Sequence, residues 1–272
     1  MNFSPAPLPE ISEQGAGEGI APLYAAIRAG LAARTVPLLY RVMAPEPGCL
    51  AWAWGIIGPL AASGVLATVG AAASRALPPI TAAMPRAACR LAGLDDAGAD
   101  RAAAIVAAFN HANPMNLAAR AVLARVLAAG TMPRAGEVLP AGAPPPLPVM
   151  AAAALTDDVQ AVMQHLASRG GRHPVPAMPT LWSALAAHPA SLAIAAASLT
   201  ADFANGTIDS DAMRVAEAAS AVLDTLPMVA APGVPTAIAD HLGRVLPFFA
   251  ATVPVMIVIG ARLSSLFMKD PA

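Results

Sequence analysis

Residues 37–64 read PLLYRVMAPEPGCLAWAWGIIGPLAASG, and residues 179–206 read PTLWSALAAHPASLAIAAASLTADFANG. Laid over one another without a gap, Pro37 meets Pro179, Leu39 meets Leu181 and Ala44 meets Ala186. Pro47 then meets Pro189, Leu50 meets Leu192 and Gly64 meets Gly206, while the aromatic Tyr40 falls on the aromatic Trp182. Alanine matches carry little weight in so alanine-rich a chain, so the prolines, leucines and glycine make the case. The chain reads as two copies of one helical unit, and self-similarity of this kind decides the architecture before any other feature is weighed.

Working outward, Ile20, Leu23, Tyr24, Ile27 and Leu31 recur at helical spacing in 20–34, with Arg28 and Arg34 toward water. Leu38–Met43 is a second short helix, Leu50–Ser63 a buried one and Val65–Leu77 its continuation. Asp100–Asn110 and Pro114–Ala129 are expected to be two further helices, because proline removes a backbone donor and starts helices more readily than it continues them. Gly130–Pro148 is rich in proline and glycine and reads as a linker. Beyond it, Asp158–Ser168 stands where 20–34 stands, and Ser191–Ala204 and Ser210–Leu226 follow. PVMIVIGARLSSLF from Pro254 parallels PMNLAARAVLARVL from Pro114. No segment alternates over a strand's length, so the expected class is all-α, two pseudo-symmetric helical repeats around a central cavity. The boundaries are 1–19 for a flexible arm, 20–130 for the first repeat, 131–149 for the linker and 150–272 for the second repeat.

At 272 residues there is room for two units of ordinary domain size. Hydrophobic residues are 57 % and mean hydropathy is +0.61, much of it alanine. A net charge of −1 gives no basic face for nucleic acid. Two runs, 48–74 and 245–261, raise a membrane reading by length and lack of charge. Pro59, Pro247 and Pro254 interrupt them and alanine dilutes the first, so no membrane partner is expected. Residues 1–19 lack a basic segment followed by an apolar one, and Cys49 and Cys89 read as reduced thiols, so the expected location is cytoplasmic. The five histidines, at 111, 165, 173, 188 and 241, show no metal-ligand spacing. Neither a metal nor another cofactor is expected.

The unit VPLLYRVMAPEPGCLAWAWGIIGPL, the segment FNHANPMNLAA at Phe109–Ala119 and the doubled layout over roughly 20–268 resemble the group I 2-haloacid dehalogenase family. The resemblance implies two helical repeats with a site between them and hydrolytic removal of halide from a short 2-haloalkanoic acid. A carboxylate would activate water for attack at C2, an amide would position that water and apolar walls would strip solvent from the halide. The expected partner is a small carboxylic acid, with room left for a homodimer.

The family's water-holding Asn maps to Asn113, within the polar run Asn110, His111, Asn113, Asn116. An Asn before a Pro is also a good helix N-cap. The family's catalytic Asp lies in the first helix of the second repeat, where Asp158-Val159-Gln160 is the nearest match; the ungapped repeat would place Ala161 or Val162 there instead. Thr156, Asp157 and Asp158 equally suit a helix start. The candidate catalytic pair is Asp158 and Asn113. Tyr24, Tyr40, Trp54, Trp182 and His111 are candidates to bind substrate, each aromatic also being a natural core residue.

Overall fold

Two glycines at matched places bend the chain. Gly64 (φ 76°) ends α3 (Cys49–Ala62) and opens α4 (Val65–Arg75), and Gly206 (φ 73°) does the same between α9 (Pro189–Ala204) and α10 (Thr207–Thr225). Both are left-handed, a conformation in which a side chain is strained. Ahead of each pair an extended proline, Pro37 or Pro179, starts a short helix: α2 (Leu38–Arg41) or α8 (Thr180–Leu185). The computed structural model describes residues 8–80, 84–138, 144–145, 147, 155–169 and 177–267. Within them the remaining helices are α1 (Ala21–Gly30), α5 (Arg86–Leu91), α6 (Asp96–Ala129), α7 (Asp157–Arg169) and α11 (Thr236–Phe267). The all-α class expected from the sequence is what the chain adopts. The small exception is an antiparallel ribbon of β1 (Thr131–Pro133) and β2 (Met228–Ala230), with Thr131 opposite Ala230 and Met132 opposite Val229.

The expected break at Pro114 does not occur. α6 is one helix of 34 residues running through Pro114, and α11 is one of 32 residues running through Pro247 and Pro254. Each proline forfeits the bond to the carbonyl four residues back, that of Asn110 for Pro114 and Ala250 for Pro254. Packing outweighs that loss. The two long helices form the most extensive helix pair in the molecule, and one apolar cluster, including Ile27, Leu60, Val122, Leu166, Leu246 and Ile259, runs through both halves of the chain. The capping reading of Asn113 fails with the break, because no helix starts there.

α4 presses on the α6 proline directly. A methyl group added at Gly70 would lie 2.9 Å from the Pro114 carbonyl carbon and 2.9 Å from its Cβ. Backbone cannot move aside as a side-chain tip can, so Gly70→Ala is expected to cost about 1–3 kcal/mol through overpacking. Thermal or urea unfolding checks this, and an unchanged midpoint would show the contact to be slack.

Two expectations about the connections need correction. Residues 8–19 form a strap, not a loose arm. Glu13 accepts the Val36 N–H at 2.7 Å and lies 3.6 Å from Arg28, and Glu10 lies 3.3 Å from Arg41. The Tyr24 hydroxyl donates to the Ile11 carbonyl at 2.7 Å. Charged anchors on a short segment were hidden by its glycine-rich composition; residues 1–7 lie outside the described residues. The linker is likewise tied down where it is described: its first residues form β1, the Arg34 Nε donates to the Pro145 carbonyl, and the Leu147 N–H donates to the Arg34 carbonyl, both at 3.0 Å. The rest of the linker, at 139–143, 146 and 148–154, and the 170–176 connection with His173 lie outside the described residues.

α11 is the one described helix long and apolar enough on its own to cross a membrane, but 67 % of its most apolar window is buried inside the fold. It is the core helix of this architecture.

Candidate functional site

A cavity of about 60 Å³ lies between the two long helices, beside their proline-containing segments. One enclosed water takes roughly 10–15 Å³ on this scale, so the space suits a molecule of about four to six heavy atoms. α6 contributes Phe109, Ala112, Asn113 and Asn116, at i, i+3, i+4 and i+7. α11 contributes Phe249, Thr252, Val253 and Met256 at the same spacing, together with Phe248. Such spacing lays four side chains along one stripe of a helix. The lining is completed by Thr35, Pro37, Leu38 and Leu39 at the start of α2 and by Pro179, Thr180 and Leu181 at the start of α8. The wall is therefore matched in position but not in chemistry: Asn113 and Asn116 on α6 correspond to Val253 and Met256 on α11, and Leu38 to Thr180.

The polar groups in this apolar space are few. Asn116 is 4 % exposed and its Oδ1 has no hydrogen-bond partner. Among the described residues neither Asn113 nor Asn116 makes a side-chain hydrogen bond. A buried amide without partners costs about 1–3 kcal/mol, so its persistence at a cavity wall fits a group kept for something that enters. Thr180, 8 % exposed, accepts a hydrogen bond of 2.9 Å from Arg41 Nη2, whose side chain is itself 12 % exposed. Arg120 follows Asn116 by one turn on the same stripe of α6. Its Nε is buried without a partner, it makes no ion pair among the described residues, and burial holds its guanidinium below the usual arginine range.

The structure brings one of the two catalytic candidates to the cavity and leaves the other apart from it. Asn113 lines the cavity; Asp158 does not, being exposed in the first turn of α7. There Thr156 Oγ1 accepts the Val159 N–H at 3.4 Å, so the acidic pair 157–158 serves a helix start. The chain has 17 carboxylates, of which Asp270 alone lies outside the described residues, and none of the other 16 lines the cavity.

The five substrate-binding candidates are corrected too. Tyr40 and Trp182 each follow a lining leucine by one residue, and a step of one residue turns a helical side chain by about 100°. Both are fully buried behind the wall, with the Tyr40 hydroxyl and Trp182 Nε1 unpartnered. Burial pushes the Tyr40 pKa up. Trp54 stacks edge-on to Tyr40 at 6.0 Å and fills the space left by Gly30 and Gly58. Tyr24 holds the strap, and burial pushes its pKa up to about 12. His111 is exposed, with Nε2 3.1 Å from the Leu31 carbonyl. Sequence reasoning placed Asn116 in the polar run without assigning it a role, and missed Thr35, Thr180 and Thr252. For Asn116 the signal was its i+3 spacing from Asn113; for Thr180 it was the replacement of Leu38 between matched flanks.

No protein-family model matches the chain, and no curated protein matches it. Among solved structures it is similar to a D-2-haloacid dehalogenase mutant, at a TM-score of 0.83 and 16 % identity over 97 % of both chains. It is similar to a D-2-haloacid dehalogenase in complex with L-LA, at 0.82 and 16 % over 97 % of both chains. A mutant of D-2-haloacid dehalogenase in complex with D-2-CPA matches at 0.79 and 17 %, over 96 % of this chain and 97 % of that one. At such identities the likeness establishes architecture, and the architecture is the one the family resemblance led us to expect: this chain has the helical fold of the D-2-haloacid dehalogenases.

Proposed function

We propose that the protein binds a small, largely apolar molecule with a polar head in the cavity between α6 and α11, without hydrolysing a carbon–halogen bond. The observation that carries this reading is a wall that holds partnerless amides and no described carboxylate. Water must lose a proton to attack carbon effectively, and a group positioned to take it must lie within hydrogen-bond reach. Asn113 and Asn116 can orient a water or a ligand head, but an amide is no general base. Hydrolysis with Asn113 holding the water is the second reading, favoured by the fold and by that residue alone. A short carboxylic acid remains a suitable ligand, its oxygens meeting the Asn113 and Asn116 amides at the wall. A cytoplasmic location belongs to the same proposal, resting on Cys49, a buried thiol outside any disulfide.

The test is incubation of purified protein with 2-chloropropionate and 2-bromopropionate, following halide release and, in parallel, binding by ligand-observed NMR. We expect halide at blank level, saturable binding of at least one acid, and no change in binding for Asp158→Asn. Sustained halide release that disappears in Asn113→Ala would replace the binding reading with the hydrolytic one.

A further inference from the structure

Thr180 is where the α2 and α8 contributions to the cavity wall differ most in chemistry. Its counterpart Leu38 offers only a methyl surface, whereas Thr180 brings a hydroxyl to the wall at the first residue of α8. That hydroxyl is not free to turn. Arg41, on α2 of the other half, donates Nη2–H to Thr180 Oγ1 at 2.9 Å. The same Nη2 lies 3.3 Å from Glu10 of the strap, which anchors the guanidinium, and Arg41 Nε is buried without a partner. A hydroxyl has one proton to donate and two lone pairs to accept with. With one lone pair engaged by a cation, the oxygen is a poorer acceptor and its proton a better donor. Among the described residues no acceptor takes that proton.

We infer that Thr180 is the hydrogen-bond donor that fixes an sp² oxygen of the cavity ligand, and that Arg41 is the positioning residue that sets the direction of the threonine hydroxyl. The inference rests on the binding reading above and gives it a chemistry. The ligand carries a carbonyl or carboxylate oxygen for Thr180 and, opposite, a group that meets the Asn113–Asn116 amides, with a short apolar body between the phenylalanines. Thr180 thus adds to the preference for oxygen-bearing ligands over hydrocarbons and alkyl halides of equal size. Arg41 touches no ligand in this arrangement and acts through Thr180.

The experiment titrates the full chain with propionate, propionamide and 2-chlorobutane by ligand-observed NMR, in the wild type and in Thr180→Val, Thr180→Ser, Arg41→Lys and Arg41→Met. Losing one well-placed hydrogen bond corresponds to about a tenfold change in dissociation constant. Thr180→Val is therefore expected to weaken the two oxygen ligands about tenfold and to leave 2-chlorobutane within about twofold. Thr180→Ser should retain the preference for oxygen. Arg41→Met should lose the preference to a similar degree, and adding it to Thr180→Val should cause no further loss, because the two act as one unit. A merely structural Arg41 would lower thermal stability and leave the ratio of ligand affinities unchanged. Should Arg41→Met fail to fold, Arg41→Lys and the Thr180 pair decide the matter alone. Tighter binding of propionate or of propionamide supports the donor role either way and identifies the oxygen as carboxylate or carbonyl. If Thr180→Val binds the oxygen ligands like the wild type while Asn116→Ala loses them, the Thr180 assignment is overturned and the binding reading stands. If the wild type binds none of the three probes, the binding reading falls and this inference with it.

Discussion

Asn116→Leu is expected to make the protein more stable and its cavity unable to hold a polar ligand. Asn116 is 4 % exposed, and its Oδ1 is buried without a partner. Removing such a group relieves a desolvation cost of about 1–3 kcal/mol. Leucine is also the better helix former, and the cavity beside it has room for its branched end. The melting temperature should rise by about 2–4 °C per kcal/mol gained, the scale for chains near this size. Binding of a polar-headed ligand should weaken at least about tenfold, since both the acceptor and the donor of the amide are lost. Opposite movements of stability and binding mark a residue kept for function at the expense of the fold. A fall in melting temperature of similar size would mean that the amide stabilises the protein and is not held in readiness.

Asp211→Ala should produce the largest loss of stability of any single carboxylate substitution in the chain. Asp211 is 1 % exposed on α10 and bonds both Arg214 and Arg262, the latter at 2.9 Å. Arg262 of α11 also reaches Asp202 of α9 at 3.2 Å, so the three helices meet on one charge cluster. Breaking a buried pair strands the remaining charge at a cost of about 3–5 kcal/mol. Asp202 still compensates Arg262 here and Arg214 reaches water, so the expected value is about 3 kcal/mol, at the low end. Asp202→Ala, by contrast, removes a partly exposed partner and should cost no more than about 1 kcal/mol. Urea unfolding of both variants checks the pair. Equal losses would show that burial of Asp211 is not what gives the cluster its strength.

Much of the architecture was legible because the anchors that specify it are short-range. Pro37 and Pro179 stand at the N-caps of their helices, and Gly64 and Gly206 take a left-handed conformation that other residues adopt at a cost. We propose that these matched positions, with the matched stripes on α6 and α11, reflect two copies of one unit. What was illegible depends on partners remote in sequence. Pro114 and Pro254 look like helix breaks until the packing of two buried helices against each other is known. Tyr40 and Trp182 attract attention by size, yet the wall is made by Leu39 and Leu181, one residue earlier, because the turn of α2 and α8 sends the rings to the far side. Asp158 matched a pattern in sequence while its helix starts at the surface. Thr180 gains its meaning only from Arg41, on the other half of the chain.

The same long-range pairing shapes how the chain comes to its fold. Helical proteins usually fold fast because their contacts are local, but residues that meet between α6 and α11, such as Asn110 and Gly260, stand 150 positions apart. At a synthesis rate of roughly 5–20 residues per second, α6 waits on the order of 10–30 s for the helix that covers it. During that interval α3, α4 and α5 can already cover part of α6, while the side that packs on α11 has no partner. The feature that makes the cavity also leaves the nascent chain dependent on its last segment.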